Sequence, residues 1–307
     1  MKEKLIIGTR GSKLAIIQAE EIISELKAIT DKYTFELKII KTHADKFNTT
    51  PIHKLGKKGV FVKEIDKALL NGEIDVSVHS MKDLPTNIPE GITLAAIPKR
   101  KTYRDVLYSR ESKSLNELKS GSIIGTGSFR RRSQMLFLRK DVKVRNIRGN
   151  VDTRIKKVDS GDYDAIVIAG IGVQRLNLHI TTFKLPDQIL PAAGQGALAV
   201  ETQSDNEKIL DLLRALNHQP SYFEVMAENS FIKTFGGGCQ VPIGVLGKIK
   251  GNLLHLSGEI LDLEGTNRVT STISGNPEEY LSIGKKLVRK IQDQGGSELL
   301  EKIKELE

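Results

Sequence analysis

One cysteine occurs in 307 residues, and it stands directly behind three glycines in the stretch FGGGCQVPIG, Phe235–Gly244. A thiol used only as a small buried hydrophobe needs packed neighbours, and consecutive glycines leave the backbone mobile and bare. The arrangement suits a sulfur that another molecule approaches closely. No histidine adjoins Cys239 in the sequence, so a protease-like pair has no support and hydrolysis through the thiol is a weak reading. Covalent attachment of a group to the sulfur fits better.

A second set of reactive types lies in VHSMKDLP, Val78–Pro85, directly after an apolar run that reads as a strand. Ligands of open α/β sheets sit beyond the C-terminal ends of strands, so Lys82 and Asp83 point at a crevice. A carboxylate among cations there can stabilise a developing positive charge or move a proton. The alternative is a plain turn, because Asp before Leu-Pro is ordinary turn chemistry. His79 reads as a structural hydrogen-bonder, since no Ser or Cys nucleophile is evident beside it.

Anion-binding types recur twice. Ser12 and Ser128 each open a helix-period segment, with Arg10 two residues before the first and Arg130 two residues after the second. Each serine can be a simple N-cap. With a guanidinium beside it, the same helix mouth can hold a carboxylate through bidentate, charge-assisted bonds. Between Arg130 and Lys157 eleven basic residues face only Asp141 and Asp152, an excess of nine that equals the net charge of the whole chain. The excess implies a local anionic partner. Seven of the eleven are arginines, which favours forked anion contacts over solubility. A phosphate-tracking nucleic-acid patch is the competing reading, but Phe137 is the lone aromatic of that stretch and the chain has no tryptophan for stacking.

The elements that must position these groups alternate between strand-like and helix-like runs, the pattern of α/β domains. Strands are expected at Lys4–Gly8, Phe35–Ile39 and Ile74–Val78. Helices are expected from about Lys13, with Ile22, Leu26 and Ile29 inward, and around Phe61, Ile65 and Leu69. SIIGTGS (Ser122–Ser128) repeats LIIGTRGS (Leu5–Ser12), and GDYDAIV (Gly161–Val167) repeats GEIDVSV (Gly72–Val78), in the same order. Two lobes of similar topology follow, with crossings near Pro98–Arg104 and Pro191–Glu201. After about residue 217 a helix, three alternating strands and a helix over roughly 277–292 make a small α+β domain. A single cysteine excludes an internal disulfide and a cysteine-rich metal cluster, and no metal is expected. No apolar stretch approaches the ~20 residues that span a bilayer. A soluble, cytoplasmic protein is expected.

Eight segments together closely resemble the porphobilinogen deaminase (hydroxymethylbilane synthase) family: IGTRGSKLA, GVFVKEID, DVSVHSMKDLP, GTGSFRRRSQ, IRGNVDTRI, YDAIVIAGIGVQRL, LPAAGQGALAVE and GGGCQVPIG. The resemblance implies an α/β fold with two lobes like the type II periplasmic binding-protein fold and a small α+β C-terminal domain. The expected division is 1–97 with 195–216, 98–194, and 217–307. It implies a dipyrromethane cofactor held by a thioether to Cys239. Onto it four porphobilinogens are joined head to tail with loss of ammonia, and 1-hydroxymethylbilane is released by hydrolysis.

By motif position the resemblance makes Asp83 catalytic. Cys239, Lys82, Thr126, Ser128, Arg130, Arg131, Arg148, Arg154 and Gln195 would bind the cofactor. Arg10, Ser12, Arg175, Phe61 and Lys58 would bind substrate. Each pyrrole bears two carboxylates, which accounts for the arginines without a nucleic acid, and a monomer is implied. The chain departs from the family pattern at Lys57, Gly127, Asn229 and Gly236, none of which replaces Cys239, Asp83 or the paired arginines. The rival from another class is a solute-binding or sensor protein on the same two lobes, for which a third domain bearing a thiol has no use.

Overall fold

The computed structural model describes residues 2–42, 62–236 and 241–305. The chain divides into two compact units, one of 1–101 with 196–222 and the other of 102–195 with 223–307.

In the first unit β1 (Glu3–Arg10), β2 (Tyr33–Ile40), β3 (Val76–Ser80), β4 (Ile92–Ala96) and β10 (Leu198–Gln203) form one sheet in the order β2-β1-β3-β10-β4. β1 runs parallel to β2 and β3, and β10 runs antiparallel to β3 and β4. The helix Lys13–Ile29 buries Ile22 and Leu26 on the sheet, as their four-residue spacing predicts. Ile29, also expected inward, is 44% exposed, and Ile39 of the expected second strand is 50% exposed. The first ends its helix and the second lies near the end of an edge strand, where the core no longer reaches.

In the second unit β5 (Asp105–Ser109), β6 (Ile123–Gly125), β7 (Lys143–Arg145), β8 (Ala165–Ala169) and β9 (Phe183–Lys184) take the order β7-β6-β8-β5-β9. Three neighbouring strands are again parallel and the fourth again antiparallel. In each sheet that antiparallel strand is the one following a crossing between lobes. The duplication extends to single atoms. The Asp75 carboxylate accepts from the Ile6 N–H at 2.6 Å, and the Asp164 carboxylate accepts from the Ile123 N–H at 2.7 Å. A Cβ on Gly8 would lie 2.3 Å from Ile74 Cδ1, and one on Gly125 would lie 2.9 Å from Tyr163 Cδ1. The repeated Gly and Gly-x-x-Asp thus serve one purpose in both lobes: close approach of a strand to the segment that leads into its neighbour, with one N–H of that strand satisfied by the aspartate.

The rest of the second unit is an antiparallel meander of β11 (Ile243–Lys250), β12 (Leu253–Leu261) and β13 (Arg268–Gly275). Its core joins Leu254, Leu256 and Ile260 to Phe231 of the helix Gln219–Phe235 and to Leu287 and Ile291 of the helix Tyr280–Ile291. A further helix, Ser297–Glu305, follows a kink at Gly295 and buries Leu299, Leu300 and Ile303. The sequence reading stopped short of it, although the i, i+4 pair Leu299 and Ile303 carried the signal.

Candidate active site

Lys82 and Asp83 lie where the sequence places them. β3 ends at Ser80 and the chain enters a single 3₁₀ turn, Met81–Asp83, closed by the Leu84 N–H donating to the Met81 carbonyl at 3.2 Å. Met81 is buried, and its N–H donates at 3.1 Å to the carbonyl of Ala197, the residue just before β10, which fixes the turn to the sheet. Lys82 and Asp83 are both exposed at the end of the strand. Arg10, half-buried, ends β1 in the same unit, and Ser12 follows it.

Both serines are N-caps. Ser12 Oγ accepts from the Ala15 N–H at 3.3 Å, and Ser128 Oγ accepts from the Arg131 N–H at 3.4 Å. Thr126, buried, accepts from the Ser128 N–H at 3.2 Å. Neither helix has an acidic residue in its first turn, so the positive end of each dipole meets no carboxylate of its own helix.

The arginines of the second lobe separate into two roles. Arg130 and Arg131 occupy the first turn of the helix Phe129–Leu138, and both reach Asp105 at the start of β5. Arg130 donates to Asp105 Oδ2 at 2.9 Å, to Gln134 Oε1 at 2.9 Å and to the Leu190 carbonyl at 2.7 Å. Its fork is engaged inside the protein. Arg131 donates to Asp105 Oδ1 at 2.6 Å and to the Val167 carbonyl at 3.3 Å, while its Nε is buried without a hydrogen bond. Gln195 completes the ring, donating to Asp105 Oδ1 at 2.8 Å and to the Tyr103 carbonyl at 2.7 Å. Burial alone would raise the Asp105 carboxyl. Arg131 and Arg130 override it and hold the group well below the usual carboxylate range.

Arg154, on the helix Val151–Asp159, donates from Nε to the Gly149 carbonyl at 2.8 Å. Its guanidinium is pushed down to about 10 by burial, then by the charges of Arg131 and Arg148. Burial also lowers Arg148. No carboxylate among the described residues pairs with Arg148 or Arg154. Arg131 and Arg148 both act on Arg154, and Asp105 is taken up by Arg130 and Arg131, so the group is a cationic cluster suited to a carboxylate-bearing ligand. Arg175 ends the helix Gly170–Arg175, half-buried. Cys239, Lys58 and Phe61 lie outside the described residues.

The sequence reading passed over Asp105, the hub of this pocket. The signal was a lone acid in KTYRDVLYS, just past the crossing segment and facing a chain full of arginine. His79, expected to be a structural hydrogen-bonder, has its Nε2 buried without a hydrogen bond, 3.5 Å from Glu201 Oε2.

Comparison with known proteins decides the family. Residues 5–211 match the profile described as porphobilinogen deaminase, dipyromethane cofactor binding domain, and residues 222–293 match that of the porphobilinogen deaminase C-terminal domain. The chain is 43% identical over 298 residues to the porphobilinogen deaminase of Syntrophomonas wolfei, covering 96% of this chain and 97% of that protein. It is 40% identical to that of Bacillus subtilis, with 99% and 98% covered, and 41% identical to that of Thermus thermophilus, with 98% and 99% covered. The chain belongs to the porphobilinogen deaminase family.

Members of the porphobilinogen deaminase family are transferases of tetrapyrrole biosynthesis that polymerise porphobilinogen on a dipyrromethane cofactor, and the α/β fold with two matched lobes and a small C-terminal sheet is theirs. Among solved structures, an ancestral cationic amino acid solute-binding protein aligns at TM-score 0.44 with 16% identity, covering 69% of this chain and 87% of that one. A probable amino-acid transporter extracellular-binding protein of Bacillus subtilis aligns at 0.42 with 12% identity, covering 70% and 90%. Among the described residues no helix is long and apolar enough to cross a membrane. Against the porphobilinogen deaminase pattern, Gly236 has a local reason. It follows the last residue of the helix Gln219–Phe235 at φ +73°, the left-handed position in which helices end on glycine. Gly127 is exposed, and a Cβ there would meet Asn146 and the Ile147 carbonyl at 3.2 Å.

Proposed function

We propose that this chain carries dipyrromethane on Cys239 and joins porphobilinogen units to it with Asp83 as the catalytic residue, releasing 1-hydroxymethylbilane. The observation that carries the reading is the pocket around Arg131, Arg148 and Arg154. Arg148 and Arg154 pair with no carboxylate among the described residues, and Arg154 is desolvated, so they suit a ligand that brings its own carboxylates. Dipyrromethane fits that donor set, since each of its rings bears an acetate and a propionate. When bound, it supplies the free pyrrole carbon to which the first substrate unit is joined.

The chain's own residues divide the work. Arg131, Arg148 and Arg154 hold acid side chains of the bound group, with Thr126, Ser128 and the open helix mouth beside them. Arg130 and Gln195 act through Asp105 to fix Arg131. Lys82 pairs with a further carboxylate, and Arg10, Ser12, Arg175, Lys58 and Phe61 receive the incoming substrate. Asp83 places a negative charge where a pyrrole ring becomes cationic as porphobilinogen loses ammonia, and it takes up and returns the proton. The domains of this reading are 1–97 with 195–216, 98–194, and 217–307. A cytoplasmic monomer that acts on a small substrate, with no nucleic-acid partner, completes it.

The test follows porphobilinogen consumption and ammonia release together in the purified enzyme. One ammonia per porphobilinogen is expected. Asp83→Ala, altering an exposed turn, is expected to keep the thermal midpoint and lose roughly a hundredfold or more of turnover. Near-normal turnover in that variant removes Asp83 from the role.

A further inference from the structure

Away from the arginine pocket, a second group of titratable side chains is gathered in the first unit. β10 pairs antiparallel with β3 so that Glu201 stands opposite Ser77 and Ala199 opposite His79. Glu201 and His79 are therefore diagonal neighbours on one face of the sheet. The helix Lys63–Leu70 covers that face and turns Asp66 inward. One ligating atom from each of Asp66, His79 and Glu201 lies within 4.8 Å of the others. His79 is 4% exposed and Glu201 2% exposed, while Asp66 is the least enclosed.

What marks the group as a site is the unfilled valence inside it. His79 Nε2 is shut off from solvent, aimed at Glu201 and without a hydrogen bond. Buried polar atoms are almost always satisfied, so this orphan calls for a missing species. The donor set says what sort. Asp66 and Glu201 bring two carboxyl groups to the imidazole, and the charge that acts on His79 is that of Arg10. Each member is driven toward its uncharged form. Glu201 is raised to about 8 by burial and by Asp66, Asp66 is raised to about 6 by burial and by Glu64, and His79 is lowered to about 4 by burial and by Arg10. Ser77 Oγ donates to Glu201 Oε2 at 3.4 Å and orients that carboxylate from outside the cluster.

We propose that Asp66, His79 and Glu201 form a binding site for one Zn²⁺ ion, which ties the helix Lys63–Leu70 to β3 and β10 beneath the turn that carries Asp83. An imidazole with two carboxylates is a borderline donor set of the zinc type, and three protein ligands leave a fourth position open. Metal–ligand lengths of about 2.1 Å give tetrahedral edges of roughly 3.4 Å. The His79–Glu201 separation of 3.5 Å already matches that edge. None of the three ligands, Asp66, His79 and Glu201, is assigned to the polymerisation.

The experiment titrates Zn²⁺ into chelator-treated, full-length, cofactor-bearing protein by calorimetry, and Co²⁺ in parallel by visible absorption. A single saturable site and a tetrahedral Co²⁺ spectrum are expected. His79→Ala and Glu201→Gln are each expected to weaken Zn²⁺ binding by roughly a hundredfold or more. His255→Ala, on a different sheet, is expected to change nothing, and Cys239→Ser is expected to keep the site, which separates it from the thiol. If His79→Ala does not fold, Glu201→Gln decides, because it keeps the shape and removes the carboxylate that would ligate the ion. No binding at 100 times the protein concentration (about 1 mM), or binding that survives Glu201→Gln, overturns the proposal.

Discussion

Replacing Asp105 by Asn tests the reasoning about the arginine pocket most severely, because it changes one buried charge and almost no volume. Asp105 accepts from Arg130 at 2.9 Å, from Arg131 at 2.6 Å and from Gln195 at 2.8 Å. It is 5% exposed, and Arg130 and Arg131 are 5% and 8% exposed. Asn leaves two desolvated guanidinium groups without a counter-charge and turns an amide N–H₂ toward donors. Breaking a buried pair by removing one partner costs about 3–5 kcal/mol. At about 2–4 °C per kcal/mol for a unit of this size, the thermal midpoint falls by roughly 6–20 °C.

The dependence on pH has a definite sign. The folded-state Asp105 carboxyl sits below its ordinary value, so its contribution is whole above about pH 4 and is lost only as the pH falls toward the folded value. The gap between the parent and Asp105→Asn, read by urea denaturation, should be flat from pH 8 to pH 5 and narrow below about pH 4. Asp211→Asn breaks an exposed pair with Arg214 and serves as the control, with no measurable change expected. A midpoint for Asp105→Asn within experimental error of the parent at pH 7 would refute the assignment of Asp105 as the counter-charge of the pocket.

Arg154→Gln separates binding from stability. The variant removes a desolvated cation and one Nε bond to the Gly149 carbonyl, two effects that oppose each other, so the thermal midpoint should stay close to the parent's. Losing a charge-assisted contact to the bound dipyrromethane worth ~1.5–3 kcal/mol should lower turnover roughly ten- to a hundredfold. A large loss of stability with turnover per cofactor-bearing chain unchanged makes Arg154 structural instead.

How far the sequence discloses this protein depends on the range over which each feature is determined. The duplicated lobes were legible because the Gly and Gly-x-x-Asp strings are short and recur in the same order, although the bonds they make, Ile6 with Asp75 and Ile123 with Asp164, span 69 and 41 residues. The turn with Lys82 and Asp83 was legible because β3 announces itself by composition and ends at a predictable place. Asp105 was not, because its partners lie 25, 26 and 90 residues away and no local pattern ties them. The division of labour between Arg130 and Arg131 was equally hidden. They are adjacent in the chain, and only the Leu190 carbonyl and Gln134 draw one of them wholly inside. His79 misled for a related reason. A histidine on a buried strand is ordinarily satisfied, and the carboxylates around it come from a helix and from a strand more than a hundred residues further on.

The intact mass of the purified protein bears most directly on the whole account. An increment equal to two linked pyrrole units is expected on the parent chain and on Asp83→Ala, and none on Cys239→Ala. A chain of unmodified mass that still converts porphobilinogen to hydroxymethylbilane would contradict it.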